Sequence, residues 1–186
     1  MPRILPYLLA AGCILFVSCS KQEPSPAAPA KEAPLPTVDA CALLTSEEIA
    51  SVQGEPIQQT TPTTQSAAGF AVSQCYFALP THANSIVVTV TQPAAGDARA
   101  LKAQWNETFH SGSEREREGV EEKEKAPPRA VAGLGEDAFW TGSSITGALY
   151  ILQGSRQIRI SLGGAGDTNV KINKAEALAE FILKRL

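Results

Sequence analysis

Five stretches of the chain are typical of β-strands, and apolar and polar residues alternate with a period of two in residues 85–92 and 156–162. In the last of these stretches, Ile158, Ile160 and Leu162 fall on one face, and the polar residues between them fall on the other. The predicted strands are residues 70–79, 85–92, 136–141, 147–153 and 156–162. Gly154 and Ser155 separate the last two strands, and this two-residue spacing fits the tight turn of a β-hairpin.

Three other stretches change to the helical period. In the first, Thr45 and Glu48 form a capping box, and Gly54 marks the end of a short helix. Residues 97–109 form the second predicted helix, and the third begins at Thr168 or Asn173 and continues to the end. The apolar stripe of the second helix consists of Ala98, Leu101, Trp105 and Phe109. The buried side of the third consists of Leu178, Phe181 and Ile182.

The order of these elements predicts an α+β fold, a mostly antiparallel β-sheet with packed α-helices, because consecutive strands return by short turns. Two polar stretches interrupt the pattern. Residues 60–69 are rich in Thr, Gln and Ser and predict a polar loop. Residues 113–125 alternate acidic and basic side chains, which indicates a solvated helix end or a mobile loop. A docking site for a charged partner is the alternative interpretation of the charged segment.

The N-terminus has the organisation of an export signal. Arg3 precedes a short apolar run, residues 4–17, which is followed by a small residue and then by polar sequence. The run is too short for a transmembrane helix, which needs about 20 apolar residues. We therefore predict a signal peptide over residues 1–18, a disordered Pro/Ala-rich linker over 19–37, and one globular domain over 38–186.

Cys19 lies where the signal would be cleaved, and Leu15 to Cys19 resembles the lipobox of bacterial lipoproteins. That resemblance implies lipidation of Cys19 and attachment to a membrane of the cell envelope. It does not distinguish the inner from the outer membrane, or which leaflet holds the anchor. Phe16 departs from the usual Leu of the motif. Cys13 is a rival acceptor, but too short an apolar core precedes it. An ordinary soluble secreted protein is the alternative.

Cys41 and Cys75 are the cysteines that remain for the domain, and disulfide bonds persist in exported proteins. A disulfide between them would contribute about 3–4 kcal/mol by restricting the unfolded chain. Two buried free thiols are the alternative.

Three motifs together resemble a family of bacterial lipoproteins catalogued as domain of unknown function 3558. They are the sequence CALLTSEE from Cys41, the pair Cys75-Tyr76, and the sequence GLGEDAFW from Gly133. The resemblance covers most of residues 39–186. It implies a disulfide between the two matching cysteines and a PsbP-like α/β sandwich, and it brings no catalytic residues.

The chain shows no motif for catalysis, for a metal or for a cofactor. His82 and His110 have no ligand-spaced partners and are predicted to be surface histidines. Glu136 and Asp137 are adjacent on a strand, so their side chains should leave opposite faces. The glycines of residues 163–166 lack the phosphate-binding spacing and predict a loop before the last helix.

Composition narrows the classes of partner. The chain carries 16 Lys and Arg residues against 19 Asp and Glu residues, a formal net charge of −3, which does not favour nucleic acid. The favoured interpretation is a membrane-anchored binding or interaction module, without enzyme activity, whose partner is an envelope protein or a small ligand. A structural subunit of an envelope complex is the alternative, and an enzyme is the third.

Overall fold

The alternating segments pair into one antiparallel sheet. The computed structural model describes residues 37–95, 98–111, 127–143 and 145–186. The predicted signal peptide, the linker up to residue 36 and the charged segment 113–125 lie outside these ranges, and so does Cys19.

Within the described residues the sheet has seven strands in the order β1-β2-β3-β7-β6-β5-β4, and every neighbouring pair is antiparallel. The strands are β1 (Gln59–Ala67), β2 (Phe70–Ala78), β3 (Ile86–Pro93), β4 (Arg129–Ala130), β5 (Asp137–Gly142), β6 (Gly147–Gln153) and β7 (Arg156–Leu162). The predicted hairpin is therefore confirmed as β6 and β7, and Gly154 adopts the positive φ of 60° that its turn requires.

The described residues contain three α-helices: α1 (Ser46–Gln53), α2 (Ala98–Phe109) and α3 (Thr168–Leu183). Thr45 and Glu48 form the predicted capping box at the start of α1, and Gly54 ends the helix in the left-handed conformation. The Asp167 side chain accepts a hydrogen bond from the backbone N–H of Val170 and caps α3. Two short 3₁₀ helices, Ala40–Leu43 and His82–Asn84, complete the elements. The predicted α+β class is confirmed.

The prediction of a polar loop over residues 60–69 is wrong. Residues Gln59–Ala67 form β1, and only Ala68 and Gly69 form the turn to β2. All nine residues of β1 are exposed, so the strand has no buried face and shows no apolar alternation. The β-branched threonines favour the extended backbone, and pairing with β2 fixes it.

The inner face of the sheet carries the larger core. α1, α3 and the 3₁₀ helix Ala40–Leu43 contribute to it together with the central strands. Val88 and Ile160 pair directly across β3 and β7, and both are fully buried. Burial of apolar surface of this kind, at roughly 25 cal/mol per Å², is the main stabilising contribution.

The outer face carries a second, smaller cluster around α2. It is composed of Leu101, Trp105, Phe109, Phe139 and Leu152, with Phe70 and Tyr150 at its border. Phe139 lies between the inner-face residues Ala138 and Trp140, so its side chain leaves the opposite face of the sheet. The rings of Phe109 and Phe139 stack with centroids 5.0 Å apart. α2 therefore covers the end of the outer face where these side chains lie, and its backbone runs close to β3 and β7.

Candidate functional site

β1 is a long and fully exposed edge strand. It pairs with β2 over nine residues, and none of its side chains is charged. The opposite edge of the sheet, β4, is only two residues long. Soluble proteins commonly protect their sheet edges with charges, with short strands or with covering elements. In the described part of the chain, β1 has only one such protection, which is Pro62.

The hydrogen-bond register shows which main-chain groups of β1 are available. The Gly69 carbonyl accepts a hydrogen bond from the backbone N–H of Ala94 at 2.8 Å, so Gly69 is directed at β3. Because the hydrogen-bonding groups of successive strand residues point to alternate sides, the odd-numbered residues of β2 are directed at β3 and the even-numbered ones at β1.

Pro62 pairs with Cys75, an odd-numbered residue of β2. Its nitrogen therefore points away from β2, which is the position where an edge strand tolerates proline. Thr60, Thr64 and Ser66 also pair with odd-numbered residues, so they direct their N–H and C=O groups to the free edge. The edge of β1 thus offers a row of main-chain donors and acceptors with one donor missing.

Two shallow grooves of about 250 Å³ and 360 Å³ lie beside this edge strand, and Thr37 and Thr64 line both of them. Val38 and Asp39 also line the larger groove. Hydroxyl and main-chain groups therefore border the exposed strand on the side where the chain enters the domain.

Three contacts hold the entering segment in place. The Asp39 side chain accepts a hydrogen bond from the backbone N–H of Cys41 at 2.9 Å. The backbone N–H of Ala40 donates to the buried Ser73 hydroxyl at 3.1 Å. The disulfide between Cys41 and Cys75, expected from the sequence, is present, with its Cα atoms 5.0 Å apart. The disulfide therefore joins the entering segment to β2, next to β1.

The prediction that Glu136 and Asp137 leave opposite faces of a strand is wrong, because Glu136 precedes β5 and both carboxylates contact α2. Glu136 accepts a hydrogen bond from the Lys102 ammonium at 3.0 Å, which is the main reason that its pKa is below the ordinary value. Asp137 accepts one from the Trp105 indole at 2.9 Å and lies 2.7 Å from Nε2 of His110. Both acids therefore connect α2 to the sheet. The sequence did not indicate the pairing of His110 with Asp137.

Glu55 has a similar structural role near the other end of the sheet. Its carboxylate accepts hydrogen bonds from the backbone N–H of Thr81 at 2.7 Å and from the Asn84 amide at 2.9 Å. The Thr81 contact is the main cause of its lowered pKa. His82, in the same loop, lies at the surface with Nδ1 3.3 Å from the Tyr76 hydroxyl.

Within the described ranges, no three His, Cys, Asp or Glu side chains come together as a metal site would require. None of the helices that the structure describes has the length and apolarity of a membrane span.

The candidate site is therefore the exposed edge strand β1, which the sequence analysis predicted as a polar loop. The signal for it in the sequence was the run of threonines before Ala68-Gly69, a pair suited to a tight turn.

Comparisons with known proteins add little. The chain matches no protein-family model and no curated protein. Among solved structures it is similar to the extracellular domain of PknH from Mycobacterium tuberculosis, with a TM-score of 0.43 and 13% sequence identity, over 82% of this chain and 99% of that chain. This similarity is too low to establish a common fold.

Proposed function

We propose that the chain is an exported, lipid-anchored binding module that takes up an extended peptide segment of an envelope protein along β1. The observation that carries the proposal is the exposed edge of nine uncharged residues. In β-strand addition, a peptide pairs its main chain with such an edge, and neighbouring pockets select its side chains. The two grooves beside β1 are placed for that second role.

The anchor belongs to the same proposal. The lipobox-like sequence ending at Cys19 and the resemblance to a lipoprotein family support lipidation, and the Pro/Ala-rich stretch after it supports a tether. Two acyl chains give lasting membrane attachment, because each buried methylene contributes about 0.8 kcal/mol. Such a module would present β1 to neighbouring proteins at the membrane surface without needing chemistry of its own.

A single main-chain donor tests the strand-addition mode. A photo-cross-linking amino acid at Gln65, whose side chain is exposed, is introduced into the full-length protein in the native envelope. This protein is compared with two variants that also carry the cross-linker. Thr64→Pro removes a backbone N–H that points away from β2. Thr64→Val is the matched control, because it keeps that N–H and changes only the side chain. We expect a cross-linked partner with the wild-type strand and with Thr64→Val, and its loss with Thr64→Pro.

The thermal unfolding midpoint of each variant checks that the domain is folded, and Ser66→Pro replaces Thr64→Pro if that variant is unstable. A cross-linker at Glu180, exposed on α3, reports non-specific neighbours. The proposal is wrong if Thr64→Pro leaves the cross-link unchanged, or if Glu180 captures the same protein equally well. Capture of a second copy of this chain would instead support the assembly-subunit alternative.

A further inference from the structure

A row of polar side chains crosses the outer face of the sheet away from β1. Gln74 pairs with Thr89, Thr89 with Arg159, and Arg159 with Tyr150, so these residues are neighbours on four successive strands. They lie on the outer face because they alternate with inner-face residues such as Cys75, Val88 and Ile160. All four are half-buried.

Arg159 lies at the centre of this row, on the fourth of the seven described strands. Its Nε donates a hydrogen bond to the Tyr150 hydroxyl at 3.1 Å, and its Cζ lies 5.7 Å from the centroid of that ring. The Tyr150 ring in turn packs 5.2 Å from that of Phe109 on α2. The hydrogen bond and the ring contact of the guanidinium group are therefore both with Tyr150, on the β6 side of Arg159.

The other side of the guanidinium has no partner within the part of the chain that the structure describes. Its two Nη atoms donate no hydrogen bond there, and no carboxylate lies within ion-pair distance. Asp137 also projects from the outer face, but Trp105 and His110 already occupy it. A half-buried cation without a counterion is unfavourable, so the arrangement is suited to an anion from outside the chain.

The surroundings of Arg159 indicate the kind of anion. Thr89 lies directly across from it, and Gln157 and Ser161 lie on the same face of β7, two residues to either side. Gln157 and Ser161 can donate and accept hydrogen bonds as sugar hydroxyls require, and Thr89, whose hydroxyl donates to Gln74 at 3.3 Å, can accept one. The planar fork of one guanidinium matches the two oxygens of a carboxylate. Leu152 of the α2 cluster adjoins Gln157, so the open approach is from the Ser161 side.

We propose that Arg159 anchors a binding site for an acidic sugar, with the sugar carboxylate on the guanidinium and its hydroxyls on the neighbouring Thr, Gln and Ser side chains. Tyr150 is a positioning residue, because its hydroxyl orients the fork through Nε. The site lies on the face of the sheet, and β1 lies at the edge, so the assignment does not depend on the strand-addition proposal.

The test uses the full chain, with a galacturonate trisaccharide and the neutral galactose trisaccharide as matched probes. Calorimetry measures affinity, and NMR follows the Nε–H resonance of Arg159. We expect the uronate, and not the neutral sugar, to bind and to shift that resonance. Arg159→Gln should weaken binding at least about tenfold, as expected for the loss of a charge-assisted bidentate contact. Arg159→Lys keeps the charge but loses the fork, and it should recover only part of the affinity.

Tyr150→Phe should weaken uronate binding less than Arg159→Gln, since the guanidinium remains but loses its orienting hydroxyl. It also keeps the test informative if Arg159→Gln does not fold. Equal binding of the two sugars, or unchanged affinity in both variants, would show that Arg159 is not the anchor. Displacement of the uronate by equimolar inorganic phosphate would show a general anion site and overturn the sugar assignment.

Discussion

Removing the link between Cys41 and Cys75 should destabilise the domain strongly. The disulfide closes a loop with a sequence separation of 34 residues. The chain-entropy relation for such a loop gives about 3–4 kcal/mol at 25 °C. For a domain near 150 residues, each kcal/mol shifts the unfolding temperature by about 2–4 °C, so we expect a decrease of about 6–16 °C.

Two versions of the experiment separate the link from the packing. Reduction of the wild-type domain breaks the link and keeps both sulfur atoms, whereas the double variant Cys41→Ala, Cys75→Ala also removes sulfur from the core. Alanine is preferable to serine because Cys75 is fully buried, and a buried hydroxyl would add its own cost. Circular dichroism follows both unfolding transitions.

We expect the reduced wild type to show most of the decrease, and the double variant to show slightly more. An unchanged midpoint after complete reduction would refute the reasoning, because the loop-closure contribution does not depend on the sulfur contacts. A decrease seen only in the double variant would assign the stabilisation to packing. Mass spectrometry of non-reduced peptides confirms that the starting material contains the Cys41–Cys75 bond.

Three further predictions concern the lipid anchor, the edge strand β1, and the ion pair between Glu48 and Arg185. Fatty-acid labelling of the full-length protein should be abolished by Cys19→Ala and kept by Cys13→Ala; the reverse result would identify the other cysteine. Amide hydrogen exchange should be fast at the outward-facing Thr64 and slower at Thr63, which is directed at β2, and equal rates would contradict the register. The Arg185 guanidinium, 2.7 Å from Glu48, holds the pKa of that carboxyl below its ordinary value of 4.5. The ion pair between Glu48 and Arg185 should contribute about 1 kcal/mol to the free energy of unfolding. Because the pKa of Glu48 is lowered in the folded state, this contribution should be present above pH 4.5 and lost as the pH falls through the folded pKa. Urea unfolding at several pH values measures this contribution, and Glu48→Gln should reduce the loss of stability at acid pH. Glu47 is exposed in the same turn, so Glu47→Gln is the control. An equal effect of Glu47→Gln would contradict the assignment to Glu48.

The parts of the fold that the sequence predicted are those in which local pattern and burial agree. The capping box of Thr45 and Glu48 and the β6–β7 hairpin depend on residues close together in the chain, and both are confirmed. β1 was missed because both of its faces are exposed, so only its pairing with β2 distinguishes it from a polar loop.

The outer-face site illustrates a second limit. Alternation along β7 already indicated that Arg159 leaves the sheet opposite to Ile158 and Ile160. It could not indicate that Thr89 and Tyr150 flank Arg159, because β7 lies between β3 and β6 and the β3 pairing connects segments far apart in the chain. Residues on one strand face are therefore predictable from the sequence, and their neighbours across the sheet require the topology.

The edge and the disulfide together explain how an exposed strand can persist in this domain. An exposed edge of nine uncharged residues invites pairing with any extended chain, and Pro62 lowers that tendency by removing one donor near its middle. The same missing donor would also weaken main-chain pairing with the peptide partner that we propose. The bond from Cys41 to Cys75, the residue paired with Pro62, places the entering segment beside this same position. On the strand-addition proposal, a partner strand would therefore meet fixed side-chain grooves where the main-chain row is interrupted, and selectivity at this edge would come from the grooves more than from the number of main-chain hydrogen bonds.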